Sequence, residues 1–326
     1  MPKNFVPVIH SAIPDRPDEQ DTLDTAAAVT AALRRLGFSP EIIDIGSDFA
    51  PLDQLAVIRP HAVFNLVEAI GGDGSLAHLP VRVMEQLGLS YTGASADACE
   101  LTSSKLHTKT VIAELGVPTP RWWNDVGDVP AGIRVIVKPE REHASLGIDA
   151  DSVVDGRDAS GEIARRELRF GGHFFAEEYI EGREFNVALI EHDGAPLVLP
   201  IPEILFDDLP AGRPHIVDYE AKWDPASHAY NNTPRRFGVE GREPVLAAEL
   251  ARLALGCWHV AGLSGYARVD FRVDCLGRPT VLEINTNPCL APDAGFVATA
   301  AAAGIVYDDV IARVVSAARI RTAKVA

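Results

Sequence analysis

The chain is short of positive charge, and this shortage limits the partners that it can bind. Its 30 lysines and arginines are outnumbered by 46 aspartates and glutamates, which leaves a formal net charge of −16. Nucleic acids and anionic membranes are held largely by clustered positive charge, so the composition argues against both as partners. An anionic small molecule would need lysines and arginines that converge locally in a cleft.

Cysteines, leader sequences and long apolar runs are also scarce. Because the four cysteines are widely separated and form no CxxC pair, we expect free thiols in a reducing cytoplasm and no disulfide scaffold. The first residues carry only a brief apolar run before proline and acidic residues, unlike a secretory signal. The alanine-rich stretch 297–306 is too short to span a bilayer. We therefore expect a cytoplasmic protein without a membrane partner.

The glycine motif of dinucleotide-binding folds is missing as well, since the cluster Gly71–Ser75 reads GGDGS and not GxGxxG. Strand and helix patterns nevertheless alternate over about the first ninety residues, which predicts a parallel α/β layer. Later strands such as Phe174–Ile180 and Glu184–Ile190 return without long crossovers, which favours antiparallel sheets that carry helices. The irregular segment Leu205–Pro234 is typical of a lid or binding loop.

Two helices are predicted from their boundaries. The first is one continuous helix over Ala96–Leu115, closed by Gly116. The second is a closing helix over Val310–Arg321, and we expect the last residues after it to fray.

The strongest chemical signal is the stretch Tyr266–Pro288, which reads as two strands joined by a turn at Leu276-Gly277. This turn sets Asp270 opposite Glu283 and Arg268 opposite Asn285. Opposed carboxylates repel each other in a bare sheet, but carboxylate and amide oxygens are the ligands of Mg²⁺, which usually shares its shell with phosphates. We therefore predict a magnesium–nucleotide site here; the alternative is a surface hairpin with solvated charges.

Three further elements have side chains that suit a nucleotide. Lys138 ends an apolar strand, where an ammonium needs an anion unless it reaches water. The loop Arg141–Gly147 has small residues whose backbone N–H groups can close on phosphate oxygens. In the segment Ala176–Glu184, the backbone of a strand edge can donate hydrogen bonds to adenine and accept them from it. The carboxylate of Glu184 can accept hydrogen bonds from ribose hydroxyls. Each of these elements alone is a weak signal.

Taken together and in this order, the motifs resemble the ATP-grasp superfamily and, within it, the D-alanine–D-alanine ligase family. The matching pieces run from about Ala62 to Val310 and read GGDGSLAHLPVRVMEQLGLSYTGAS, SSKLHTK, VIVKP, REHASLG, EEYIEGREFNVALI, DYEAKW, GYARVDFRVD and VLEINTNP. The resemblance implies an α/β chain of the α+β ATP-grasp type. Its expected parts are a Rossmann-like substrate domain over residues 1–95, a central ATP-grasp subdomain over 96–181 and a C-terminal subdomain over 182–326 that carries the hairpin and the lid.

The resemblance also implies roles for individual residues. Lys105 and Lys138 would bind the ATP phosphates, and Ser145 would cap them. Lys222 would close over the γ-phosphate, and Arg268 would face the transferred phosphoryl group and the tetrahedral intermediate. The adenosine pocket would be lined by Glu177, Glu178, Ile180 and Glu184. The metal ligands would be Asp270, Glu283 and Asn285, holding two Mg²⁺ ions for which Mn²⁺ can substitute.

The sequence departs from the family pattern mainly on the substrate side. The early glycine pair is absent, and Asp18 or Glu19 would replace the glutamate that follows it. The phosphate loop has Ala144 where the family has serine. Glu68 stands near the place of a histidine-glycine pair, and Trp223 replaces a tyrosine. Cys289 replaces a glycine. Ala294 and Gly295 replace the serine-leucine pair that, in the family, holds the carboxylate of the second substrate. Cys289 has no histidine partner in the sequence and is read as a small neutral residue near the oxyanion site, not as a nucleophile.

The implied reaction joins a carboxylate to an amine through an acyl phosphate, with ATP converted to ADP and phosphate. Because the departures fall on the substrate side, we expect an acid or amine other than D-alanine, and a homodimer by resemblance. The alternatives are a divergent but genuine D-alanine–D-alanine ligase, a degenerate ATP-binding protein without catalysis, and a kinase-like enzyme that stops at a phosphorylated product.

Overall fold

The computed structural model describes residues 3–11, 17–123, 126–142 and 145–321, without the side chains of residues 17–19 and 126. Its N-terminal part contains a parallel sheet of strand order β2-β1-β3, as the alternating pattern predicts. The strands are β1 (Val8–His10), β2 (Ile42–Asp44) and β3 (Phe64–Asn65). The helices beside them are α1 (Pro17–Arg35), α2 (Ala50–Ile58) and α3 (His78–Gln86). Short 3₁₀ turns occur at Gly74–Leu76, Val126–Asp128, Ala150–Ser152 and Gly156–Asp158.

The single helix expected over Ala96–Leu115 is wrong, because it breaks at Ser104 into α4 (Ala96–Ser103) and α5 (Lys105–Glu114). Ser104 has an extended backbone, and its side chain caps α5 by accepting from the N–H of His107 at 3.2 Å. A serine that caps the backbone competes with helix continuation. The break places Lys105 at the first position of a new helix.

The central part is an antiparallel sheet of strand order β5-β8-β6-β7, in agreement with the predicted returns of the chain. Its strands are β5 (Trp122–Trp123), β6 (Arg134–Pro139), β7 (Val153–Asp155) and β8 (Phe174–Glu178). Helix α6 (Ala159–Phe170) covers one face, and its buried Ile163 shares a core with Val135 and Val137 of β6.

The C-terminal part is a six-stranded antiparallel sheet with the main path β12-β11-β9-β13-β14 and with β10 paired to β9. Its strands are β9 (Gly182–His192), β10 (Ala195–Val198), β11 (Glu203–Ile204), β12 (Arg235–Arg236), β13 (Tyr266–Asp274) and β14 (Pro279–Asn285). The long helix α10 (Pro244–Val260) packs on one face of this sheet through Leu250 and Leu253. Alternation along the strands leaves the opposite face for polar side chains.

The segment expected to be a lid contains two short helices, α7 (Tyr219–Trp223) and α8 (His228–Asn231), and α9 (Val239–Arg242) follows it. Asp218 caps α7 and Ser227 caps α8; each side chain accepts a hydrogen bond from a backbone N–H group of its helix. These caps explain why a stretch rich in proline and asparagine still forms helical turns.

The chain closes with α11 (Gly295–Ala302), α12 (Tyr307–Ser316) and β15 (Arg319–Ile320). The closing helix expected to reach Arg321 therefore stops earlier, because the chain returns to pair β15 with β4 (Ser90–Tyr91). Among the described residues, no single helix is long and apolar enough to cross a membrane; only the bent pair α11–α12, turned by 104°, reaches that length and composition when taken together.

Candidate active site

A cavity of about 840 Å³ lies where the three sheets meet, and it gathers the residues that the sequence singled out. The sequence-predicted residues that line it are Glu68, Lys105, Lys138, Ser145, Glu177, Glu178, Ile180, Glu184, Lys222, Trp223, Arg268, Asp270, Glu283, Asn285, Cys289, Ala294 and Gly295. The side chains of Asp18 and Glu19, at the start of α1, lie outside the described part of the structure, as does Ala144 of the phosphate loop.

The hairpin has the predicted register. Arg268 lies opposite Asn285, and Asp270 lies opposite Glu283, with a register shift after Asp270. Strand β9 extends the same polar surface on the other side of β13, since Asn186 lies opposite Asp270. The period-two alternation of three neighbouring strands therefore forms a continuous polar floor for the cavity.

Asp270 is the most heavily bonded residue of this floor. Its carboxylate accepts two bonds from Arg268, at 2.7 and 2.8 Å, one from Asn186 at 2.8 Å and one from Asn285 at 3.0 Å. Burial opposes the charge of Arg268, but the Asp270 carboxylate outweighs this effect and raises the pKa of the guanidinium. Arg268 is therefore a fixed positive charge at the centre of the cavity.

The donor set of the hairpin fits a hard divalent cation. Asp270 and Glu283 supply carboxylate oxygens, Asn285 supplies an amide, and the side chain of Glu283 is 31% exposed. Oxygen ligands of this kind suit Mg²⁺. The described residues contain no group of three or more histidine, cysteine, aspartate or glutamate side chains that could hold a metal by themselves. A cation here would therefore complete its shell with water or with phosphate oxygens of a ligand.

Three lysines and one glutamate form the cationic end of the cavity. Glu177 is 1% exposed and accepts from Lys138, and its other oxygen lies 2.7 Å from the ammonium of Lys109. Burial opposes ionisation of Glu177, but the charges of Lys109 and Lys138 outweigh it and lower the pKa of the carboxyl. Lys105 donates to the backbone carbonyl of Glu142 and lies 3.9 Å from Glu283, so it bridges the phosphate loop and the hairpin.

The loop Arg141–Gly147, called the phosphate loop, is bonded in its described part to the predicted lid segment Leu205–Pro234. Ser145 has a left-handed backbone with φ of 61°, and its hydroxyl donates to the carbonyl of Val217 at 2.9 Å. The N–H of Tyr219 donates to the carbonyl of Ile148 at 3.1 Å. Left-handed φ is uncommon outside glycine and costs on the order of 1 kcal/mol, so these contacts hold the loop in its shape. In this structure the Ser145 hydroxyl thus joins the loop to the lid.

Another part of the cavity has an acidic and neutral lining. The Cys289 thiol donates to the Asp21 carboxylate at 2.9 Å and accepts from the N–H of Ala291 at 3.3 Å. Burial first, and then the charges of Asp21 and Glu68, raise the pKa of this thiol. Burial also raises the pKa of Asp21. A neutral thiol is a poor nucleophile, which agrees with the interpretation of Cys289 as a small neutral residue.

Sequence reasoning missed several charged and polar residues of the site, among them Asp21, Lys109, Asn186 and Arg235. Two of them carried a usable signal. Lys109 stands four residues after Lys105 on one helix face, and Asn186 stands two residues after Glu184 on one strand face. Asp21 lies on α1, and Arg235 lies on β12 after the lid segment. No helical or strand spacing in the sequence connects either residue with the hairpin.

Comparisons with known proteins indicate one family and one fold. Residues 128–316 match the family described as D-ala D-ala ligase C-terminus. The D-alanine–D-alanine ligase of Halorhodospira halophila is 32% identical over 306 residues, covering 91% of each chain. An uncharacterised protein of Sinorhizobium fredii is 32% identical over 269 residues, covering 81% of this chain and 76% of the other. The crystal structure of the D-alanine–D-alanine ligase of Bacillus anthracis with ATP has a TM-score of 0.72 at 20% identity, covering 96% of each chain, and thus shares the fold.

Proposed function

Since the chain belongs to the D-alanine–D-alanine ligase family of the ATP-grasp fold, we propose that it is an ADP-forming carboxylate–amine ligase. A carboxylate oxygen attacks the γ-phosphorus of ATP, which gives an acyl phosphate and ADP. The amine then attacks the acyl carbon, phosphate leaves with the bonding electron pair, and the amine nitrogen loses a proton as the amide forms.

One observation carries this proposal. The polar floor of β9, β13 and β14 faces the lysine cluster across a single cavity of about 840 Å³. Phosphoryl transfer needs little covalent help from the protein, because catalysis comes from positioning and from neutralising charge. A floor of carboxylates and amides, with lysines and an arginine beside it, provides both.

In the first step the lysines hold the triphosphate. Lys138 and Lys105 point into the cavity from a strand end and from a helix start, and Glu177 keeps Lys138 and Lys109 in place. Glu178, Ile180 and Glu184 line the part of the cavity that we assign to adenosine. Mg²⁺ held by Asp270, Glu283 and Asn285, as two ions and with Mn²⁺ as a substitute, would neutralise phosphate charge there.

In the second step Arg268 stabilises negative charge that develops on the acyl carbonyl. Its guanidinium is oriented by the two bonds to Asp270, so little reorganisation is needed when the charge appears. Lys222 lies over the ring of Trp223 at 5.4 Å, at the edge of the lid segment. Closure of this segment would exclude water from the acyl phosphate, which water would otherwise hydrolyse.

We place the substrates outside the D-alanine pair. Five cavity residues differ from the family pattern on the substrate side: Glu68, Trp223, Cys289, Ala294 and Gly295. The same proposal includes a division of the chain into three parts, after residues 95 and 181. It also includes a homodimer and a cytoplasmic location. The second candidate is a genuine D-alanine–D-alanine ligase, which is favoured by the 32% identity to a curated ligase over 91% of the chain.

The test is ADP release from Mg²⁺-ATP with amino acids and small carboxylates, singly and in pairs, followed by mass detection of products. Release that depends on both an acid and an amine, with an amide as product, is expected. D-alanyl-D-alanine formed as efficiently as any other product would select the second candidate. ADP release without an amide, or no release with any pair, would contradict the ligase proposal.

A further inference from the structure

The charged residues divide the cavity into two ends around a shared centre. Lys105 and Lys109 each interact electrostatically with Glu177 and with Lys138 at the first end. Asp21, Asp293 and Cys289 form the second end. The centre is formed by Arg268, Asp270, Glu283 and Lys222, which interact with one another. Lys222 of the centre acts on Asp21, whereas none of the lysines of the first end is among the groups that act most on Asp21 or Cys289, so the two ends are electrostatically separate.

Arg235 belongs to the second end, and its charge is not matched there. It is on β12, opposite Ile204, and it lines the cavity. Within the described part of the chain, its guanidinium has neither a hydrogen bond nor an ion pair. Arg235 is exposed at the wall of the cavity. Partial burial of the guanidinium, followed by the positive charge of Arg268, lowers its pKa, and Tyr230 and Asp293 offset this only in part. An anionic ligand would offset the repulsion between Arg235 and Arg268.

The local packing leaves room for this guanidinium. A β-carbon built on Gly295 would lie 3.4 Å from Nε of Arg235 and 3.7 Å from Cζ. A larger side chain at position 295 would therefore press on the arginine. Ala294, at the amino end of α11, supplies no side-chain cap, so the N–H groups of the first helical turn add positive potential on the same side.

We propose that Arg235 binds the carboxylate of the amine substrate, so that the enzyme accepts amino acids and rejects amines that lack this group. This inference rests on the ligase function proposed above. Guanidinium recognises carboxylate with two parallel charge-assisted bonds, which a lysine cannot reproduce. The acidic side chains Asp21 and Asp293 lie nearby and complement the positive charge that an amino acid brings.

The position of Arg235 distinguishes this role from phosphate binding. Its charged neighbours are Arg268 and Asp293, and none of Lys105, Lys138 or Glu177 is among them. Arg268 is held by Asp270 through two bonds, whereas Arg235 has no such anion. The unmatched charge of Arg235 therefore belongs to the second end and not to the lysine cluster.

The test compares Arg235→Ala and Arg235→Lys with Arg236→Ala. Arg236 is the matched control because it is next in the same strand and lies outside the cavity lining, where its guanidinium binds Glu203 at 2.6 Å. Steady-state ADP release is measured with proteinogenic amino acids, their D-enantiomers and the carboxamide of every active acceptor. In parallel, calorimetric titration measures binding of glycine, D-alanine, L-alanine and their carboxamides to the enzyme loaded with Mg²⁺ and a non-hydrolysable ATP analogue.

Loss of charge-assisted bonds should raise the KM of the acceptor amino acid about 10- to 100-fold in Arg235→Ala. The KM of ATP should stay unchanged, the carboxamide should react equally with both proteins, and Arg235→Lys should recover part of the loss. Arg236→Ala should match the wild type. A raised KM for ATP, equal loss with acid and carboxamide, or a wild type that does not distinguish the two would overturn the proposal. Carboxylate-dependent binding without any turnover would refute the ligase function and leave the role of Arg235 supported.

Discussion

Replacing Glu177 by glutamine should destabilise the protein strongly, because this carboxylate holds the buried Lys109 and the nearly buried Lys138. Glu177 and Lys109 are each 1% exposed and lie 2.7 Å apart, and Lys138 binds the other carboxylate oxygen. Removing one partner of a buried ion pair leaves an uncompensated charge and costs about 3–5 kcal/mol. The glutamine side chain keeps the volume, so the loss would come from charge and not from a cavity.

Urea unfolding followed by circular dichroism and by tryptophan fluorescence would measure this effect without nucleotide. Coincidence of the two transitions would justify a single free energy of unfolding. The matched control is Glu178→Gln, since Glu178 is exposed and is next in the same strand. Surface substitutions of this kind change the free energy of unfolding by less than about 0.5 kcal/mol.

The pH dependence has a defined sign. Burial already lowers the pKa of Lys109 in the folded wild type. Without Glu177, the pKa of the folded-state ammonium falls further below that of the unfolded chain, so the unfolded state binds more protons. The stability of Glu177→Gln then rises with pH up to the lysine pKa of the unfolded chain, about 10.4. Its deficit should shrink as the pH rises toward the lowered pKa of Lys109 in the wild type, above which both proteins gain stability in parallel.

A double-mutant cycle completes the test. Adding Lys109→Met to Glu177→Gln removes one orphaned ammonium and should recover at least about 1 kcal/mol. Strict additivity of the two changes, or a deficit for Glu177→Gln no larger than that of Glu178→Gln, would refute the view that Glu177 holds the lysine cluster.

Three other predictions address the metal site, a core hydrogen bond and the cysteines. Glu283→Gln should lower the rate of ADP release more than about 100-fold with an unchanged urea midpoint, since its side chain is 31% exposed; a normal rate would refute the metal assignment. Tyr91→Phe should lower the free energy of unfolding by about 1–2 kcal/mol, because it removes the 2.7 Å bond from the phenol to Glu85; an unchanged urea midpoint would show that this bond contributes little. Iodoacetamide at pH 8 should alkylate exposed Cys275 and spare Cys289, whose thiol pKa is raised by burial, as peptide mass mapping would show; early modification of Cys289 would contradict its neutral state.

Several parts of the site could be predicted because they depend on local rules. The period of two along a strand and the Leu276-Gly277 turn determine the hairpin register, which places Asp270 opposite Glu283. The apolar run before Lys138 predicted the strand that ends near this residue. The helix break at Ser104 was missed because a continuous run of helix-compatible residues does not reveal a serine that caps the next helix.

The sequence by itself therefore determined the order of the elements, the register of the hairpin and the family. Only the tertiary structure decided which distant side chains share the cavity. Cys289 meets Asp21 across 268 positions of sequence, and Arg235 reaches Gly295 from a strand of two residues. Such pairs follow from how separate sheets and helices pack, which no local periodicity encodes. The unmatched charge of Arg235 results from that packing. It is the basis of the proposal that Arg235 binds the carboxylate of the amine substrate.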